Sequence, residues 1–568
     1  MSFRSGLILW ASFGIGLFLL GWWSLQRLGF ALPGIDDAYI FFVYARNFAE
    51  GHGFVYNVGG ERVEGFSSML WVLVLSGVWA IFGEFGWQLM AFCVGICSLC
   101  MVLGVTGFER MVQLNAPDRK STGMELRAVG ALWIGVWALG SPGFVIWSTT
   151  TLMENCLWEL LWAGSVVWLL FLLQSKSLSL KVQFGYGFVL GGLLLCRPEA
   201  MYWVCLLLFG LGVGRWCCGA SLSRVLREIV TIGGICGLLF GGLICFRLQY
   251  FGYPLPNTYY AKVSPDRIYN LLLGLKYLVR FGLWHWGVLF SCVAVLLGFI
   301  SGIQAIWRRY RKGEPEEVGV VALGVVCGLL IGGLCVAPIV GGDHFSFYRI
   351  FQVFWIMLPV PMFLWLWKRY TQSRGVRRTA IVVIGVLMGL GCRESWFSIT
   401  PQSRISSEFR IVERDFKVGE VLNHWFSESN APSIGVLAAG GIAYKYQGVV
   451  LDLMGLNLVD MAHSPGDRKG KKNHAAFNKE VFWQIAPDIF LPNLVADVDE
   501  AIAQSKQNQT PKPVGWDPFR GLREDKRFIE EYTIGFLDKG DGTYLGGAFH
   551  REFLNQLEGF GFREYPVD

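Results

Sequence analysis

The chain has 568 residues, of which 53% are hydrophobic and only 16% charged, with a formal net charge of +6. A soluble protein of this length could not hide so much apolar surface, so most of it must face lipid. From Arg393 onward 20 Lys and Arg stand against 25 Asp and Glu, which leaves +11 on the apolar part; nothing there forms a nucleic-acid face, and the positive charge falls in short loops, where it sets topology.

The run from Gly6 to Leu28 is too long for a signal-peptide core and reads as an uncleaved first span. Further apolar runs cover 86–107, 128–147, 155–173, 182–196, 199–214, 229–250, 284–307, 318–340, 350–367 and 378–392, so eleven spans are expected. The run 66–82 is left out of that count because of loop charge. Basic loops containing Arg110, Arg119, Lys120 and Arg127, then Lys176 and Lys181, Arg215, Arg224 and Arg227, Arg308 to Lys312, and Lys368 to Arg378 share the cytoplasm with Arg4 only if 66–82 does not cross. It is therefore expected to lie at the outer interface as a juxtamembrane helix. The outward loops are then 29–85, 141–154, the turn at Arg197, Pro198 and Glu199, 251–283 and 341–349.

Past Cys392 the chain turns polar. Apolar stretches at Ser433–Ala438, Val449–Leu453 and Asp488–Leu491 alternate with a helical pattern over Ser407–Phe426. The expected fold is thus mainly α, with a polytopic membrane domain over 1–392 and a small α/β domain outside the membrane over 393–568. Ser505–Pro513 reads as a solvated loop. All 14 cysteines lie at or before Cys392, so the polar part uses no disulfide.

The first outward loop, 29–85, carries the chemistry. Asp36 and Asp37 are adjacent acids at an interface, costly unless solvated, paired or functional. Either could accept a proton from an attacking hydroxyl, with the other orienting the base, binding a sugar hydroxyl or holding a divalent cation such as Mg or Mn. Either could equally cap a helix over Ala38–Glu50. A phosphate-bearing substrate needs positive charge where the leaving group develops, and the outward cations are few: Arg197, Lys262, Arg349, Arg46 and Arg62. Arg349 could also snorkel, and Arg197 and Glu199 could simply pair. Glu154 reads either as a second outward acid or as a first-turn acid of the span that follows. Tyr444 and Tyr446 could stack on sugars or pack in the tail's core, and the basic cluster Arg468–Lys472 reads as a solvated loop. Histidine spacing supports no zinc site, and no nucleotide-binding fingerprint is present.

Asp36, Asp37, Tyr39, Arg46, Gly51, His52, Tyr56, Asn57, Glu64 and Phe66 together resemble the first-loop signature of bacterial GT-C glycosyltransferases. The nearest resemblance is to the terminal arabinofuranosyltransferases that use decaprenyl-phosphate-arabinose. The match continues in order through Met153 and Glu154, Arg197 to Glu199, Tyr253 to Lys262, Gly341 to Arg349, and Asp452 to Leu456. The resemblance implies a first-loop Asp base, Glu154 as a second catalytic acid, and substrate contacts from Tyr39, Arg46, Glu64, Arg197, Glu199, Asn257, Tyr259, Tyr260, Lys262, Asp343, His344 and Arg349. It implies transfer of a sugar, a pentose such as arabinofuranose among the candidates, from a polyprenyl-phosphate donor to an envelope glycan or glycolipid. The expected setting is the outer face of a bacterial cytoplasmic membrane, with the N-terminus cytoplasmic. A lipid-linked-sugar flippase and a non-catalytic assembly protein are the alternatives; nearly charge-free spans count against transport.

Overall fold

A computed structural model describes residues 3–115, 123–391, 396–466, 468–469, 474–507, 518–519 and 521–565. Arg119, Lys120, Arg393, Lys471, Lys472 and the stretch 508–513 of the expected loop lie outside the described residues.

Among the described residues seven helices are long and apolar enough to cross a membrane: Phe3–Leu28, Trp87–Asn115, Asn155–Leu172, Ala200–Cys217, Leu222–Tyr250, Trp286–Lys312 and Val318–Val340. The chain is a multi-pass membrane protein, mainly helical. An eighth expected run, 128–147, is bent: Gly123–Leu139 and Pro142–Thr150 meet at 79°. The bend follows from sequence, since Pro142 lacks the N–H that would continue the first helix and Ser141 caps the second by accepting from the Phe144 N–H. The other three runs form shorter helices, Leu180–Cys196, Val360–Gln372 and Val376–Leu390. In the run 350–367 the short helix Arg349–Gln352 gives way to turns, and the next helix starts at Val360, after Pro359 at its N-cap and with Pro361 in its first turn. Among the described residues, length and apolarity thus mark seven helices able to cross, or eight with the bent pair. Met69–Phe82 has 14 residues, about 21 Å of helix and short of a perpendicular span; it packs on the first-loop helix Asp36–Ala49.

With little hydrophobic drive between helices in lipid, close backbone approach matters more. Gly302 on Trp286–Lys312 and Gly324 on Val318–Val340 meet backbone to backbone, and a Cβ on either would collide with the other.

Among the described residues the polar part forms one six-stranded sheet: β1 Ile434–Val436, β2 Val450–Asp452, β3 Ile489–Val495, β4 Tyr532–Asp538, β5 Tyr544–His550 and β6 Gly561–Glu564. The strand order is β2-β1-β3-β5-β4-β6, with β1 parallel to both neighbours and the remaining pairings antiparallel. β1, β2 and the start of β3 fall where apolar stretches predict strands, and the expected helix appears as Ser406–Trp425. The sheet is tied to the first loop by specific hydrogen bonds. Asn57 and Val450 exchange two, at 2.9 and 3.1 Å, and the Tyr44 hydroxyl donates to Asn457 Oδ1 at 3.0 Å. Asn257 adds bonds to the carbonyls of Gly455 and Leu456 at 2.8 and 3.1 Å.

Candidate active site

The adjacent acids of the first loop point to different surroundings. Both begin the helix Asp36–Ala49, whose N-cap is Ile35, and neither caps it through a side chain. Asp36 is buried, and its Oδ1 accepts the N–H of Gly440 at 3.0 Å and of Gly441 at 2.7 Å. Gly440 has no room for a side chain, because a Cβ there would strike the Asp36 backbone. Burial, reinforced by the nearby Asp415, pushes the Asp36 carboxyl up to about 8, against the two N–H donors that work to lower it. Asp36 is therefore a mostly protonated joint between the first loop and the C-terminal part.

Asp37 opens instead into a cavity of about 450 Å³. Burial works to raise its pKa, but Lys262, Arg349 and His344 outweigh it and hold the carboxyl below its usual value. Lys262 Nζ lies 3.8 Å from Asp37 Oδ2. The cavity gathers three cations, Arg197, Lys262 and Arg349, and three acids, Asp37, Glu199 and Asp343. Its remaining walls are largely apolar, and Met201 and Ile339, at 55% and 58% exposure, stand on the outside of the bundle.

The cations are held differently. Arg197 is taken up by Glu199 at 2.8 Å and by the fully buried Glu154, and it lies over the Trp158 ring. Glu154 itself does not line the cavity, so it acts behind Arg197. Arg349 pairs with Asp343 at 2.8 Å and lies 4.3 Å from the Phe345 ring centroid. Just before it, Phe347 and Tyr348 hold φ of 60° and 53°, the left-handed region that non-glycine residues avoid. Burial would raise the Asp343 carboxyl, yet Arg349 and His344 hold it well below the usual range. Among the described residues Lys262 pairs only with Asp37, at the longer distance, and both side chains are about one quarter exposed. Tyr259 lines the same cavity and is 44% exposed.

Other residues singled out from sequence lie elsewhere. Tyr39 packs edge-on against Phe42, Phe416 and Tyr444. Arg46 donates to the Tyr444 carbonyl at 2.9 Å and lies over that ring, while Tyr446 is buried. Glu64 makes a buried two-pronged pair with Arg247. Asn257 is the domain tie described above, and Tyr260 packs against His463. Arg468 donates to the carbonyls of Tyr260 and Ala462, and Lys469 pairs with Asp266 at 2.7 Å, so these two members of the basic cluster are tied down. His344 lines a neighbouring cavity with Asp343.

Sequence reasoning missed Glu408, on the helix Ser406–Trp425. Burial raises its pKa, and its charge is felt by His344, Asp37, Arg349 and Asp343. Its own segment, a polar amphipathic helix some 370 residues downstream of Asp37, carries no local signal of that proximity. The Asp36 and Asp37 pair does not suit a divalent cation: one carboxylate is spent on backbone N–H groups and the other faces Lys262. Among the described residues no group of three or more His, Cys, Asp or Glu is arranged to hold a metal.

No protein-family model and no curated protein matches the sequence. Among solved structures, the chain is similar to the Archaeoglobus fulgidus oligosaccharyltransferase in its apo form, at 12% identity over 96% of this chain and 74% of that one, with a TM-score of 0.49. It is also similar to that enzyme in complex with Zn and sulfate, at 12% identity, 95% and 72% coverage and a TM-score of 0.47. A third is archaeal oligosaccharyltransferase AglB from the same organism with an inhibitory peptide and a dolichol-phosphate, at 11% identity, 97% and 74% coverage and a TM-score of 0.47. At such identities and scores the chemistry has to be read from the residues of this chain.

Proposed function

We propose that the chain is a GT-C glycosyltransferase that moves a sugar from a polyprenyl-phosphate donor to a hydroxyl of an envelope glycan or glycolipid, with Asp37 as the base. The observation that carries this reading is the convergence of Asp37, Lys262 and Arg349 on one cavity whose other walls are apolar and reach the outside of the bundle. A polyprenyl chain suits the apolar walls, and its phosphate suits Lys262 and Arg349. The acceptor O–H passes its proton to the Asp37 carboxylate as its oxygen bonds to the anomeric carbon. The bond from that carbon to the phosphate oxygen breaks on the opposite side, and polyprenyl phosphate leaves with the electron pair. Free Asp37 is a weak base because Lys262 and Arg349 stabilise its charge. A donor phosphate competes for those same cations, so donor binding strengthens the base it needs. Arg197, neutralised by Glu154 and Glu199, shapes the cavity rather than supplying charge. The first-loop resemblance makes arabinofuranose the first sugar to try, and the outer face of a bacterial cytoplasmic membrane the expected setting.

The test is mass spectrometry of purified protein incubated with short-chain polyprenyl-phosphate sugars and crude envelope acceptor. Wild type should consume one donor, Asp37→Asn should lose at least about 100-fold, and Asp36→Asn should turn over. Equal consumption by wild type and Asp37→Asn would sink the assignment of the base.

A further inference from the structure

Across the Gly341–Arg349 segment from the donor cavity lies a second one, of about 480 Å³, sharing only Asp343 with it. Its charge is different. Among the described residues Lys276, Arg280 and Arg404 line it against the single carboxylate of Asp343, which Arg349 already holds from the other side. Lys276 and Arg280 stand one turn apart on the helix Arg267–Trp284, so they share a face. Among the described residues neither is in an ion pair, while Arg404 gives one N–H to the His344 carbonyl. Serines Ser346 and Ser403 add polar lining. Three exposed cations around one basin make its potential positive, and phosphate and carboxylate are the groups they bind best.

The position adds meaning to the charge. Asp343 is the partition: Arg349 grips it from the donor cavity, and His344 beside it faces the basin. We infer that the basin is an anion subsite for the acceptor, holding a phosphate or carboxylate group of an acidic glycan so that a neighbouring hydroxyl reaches Asp37 over the partition. This rests on the reading of the first cavity as the transfer site. It narrows the acceptor from any envelope glycan to a negatively charged one. An anionic phospholipid headgroup has the same chemistry, and the apolar residues Leu271, Leu275 and Val279 of the same helix are exposed as a lipid-contacting face would be. The basin, however, is also walled by the polar segment Ser398–Ile405, which favours a water-borne group.

The experiment is calorimetric titration of the full chain in phosphatidylcholine nanodiscs with tri-galacturonate, inorganic phosphate and a neutral trisaccharide. Tri-galacturonate should bind and the neutral sugar should not. Lys276→Gln/Arg280→Gln should weaken binding at least about tenfold. Equal binding by the double variant, or equal binding of the neutral sugar, overturns the subsite. Nanodiscs doped with phosphatidylglycerol form the second arm. If that lipid abolishes sugar binding, and native mass spectrometry finds it retained by wild type but not by the double variant, the occupant is a headgroup and the acceptor assignment is overturned. Anion binding by wild type without consumption of any polyprenyl-phosphate donor would instead count against the transfer reading alone.

Discussion

Replacing Asp36 by Asn separates the two acids of the first loop by a sign that intuition would reverse. Asp36 rises from 3.8 to about 8 on folding, so it takes up a proton where an unfolded carboxyl would have none. For an acid shifted upward, the favourable contribution of the protonated form is complete below about pH 4 and is lost as pH climbs toward 8. At pH 7 roughly three units separate the medium from the unfolded value, about 4 kcal/mol of stability forgone at about 1.4 kcal/mol per unit. Asn keeps a carbonyl oxygen for the Gly440 and Gly441 N–H groups and removes the charge beside Asp415. Asp36→Asn should therefore be more stable than wild type near pH 7, by an amount that vanishes toward pH 4 and grows toward pH 8. Denaturant or thermal unfolding of the full chain in nanodiscs from pH 5 to 8.5 reads this directly, with donor turnover measured alongside. A variant less stable than wild type across that range would refute a neutral buried Asp36, and with it the separation of roles.

Two further substitutions address the surroundings of the site. Glu64→Gln leaves the Arg247 guanidinium buried without its carboxylate; it should lose about 3 kcal/mol of stability, and Glu64→Leu/Arg247→Met should recover most of that, measured by the same unfolding assay. Glu408 titrates above its usual value and Asp37 below its own, so Glu408 is already neutral where Asp37 gains its proton; Glu408→Gln should leave the acid limb of the pH profile of kcat/KM in place, with kcat at pH 7 changed by no more than about twofold. A shift of that limb would mean that Glu408 is still charged where Asp37 gains its proton.

The helices were legible where composition alone decides, as in Val318–Val340, which carries no charged residue at all. They were less legible where a break depends on one residue. Nothing in the apolar run 128–147 short of Pro142 announces a 79° bend, and Pro359 marks the break in the run 350–367 in the same way. In the sheet, β1 and β2 sit in short, strongly apolar stretches bounded by turn residues. β4 and β5 mix Gly, Thr, Asp and Tyr with apolar residues, and β6 is exposed along its whole length, so neither hydrophobic run nor alternation marks them.

The site divides along the same line between local and distant information. Motif order brought Asp37, Arg197, Glu199, Tyr259, Lys262, Asp343 and Arg349 into one list, and they do line one cavity. The same motifs also contain Tyr39, Arg46, Glu64 and Asn257, whose partners are Tyr444, Arg247 and the Gly455–Leu456 backbone. A motif that spans both a site and the joint supporting it cannot separate the two, because each constrains sequence through residues far away in the chain. Asp36 and Asp37 show this most sharply. They are neighbours in sequence and begin the same turn of helix, yet one meets Gly440 and Gly441 and the other meets Lys262. Only the docking of a sheet some 400 residues downstream decides which carboxylate is neutral and buried and which stays charged and open to the cavity.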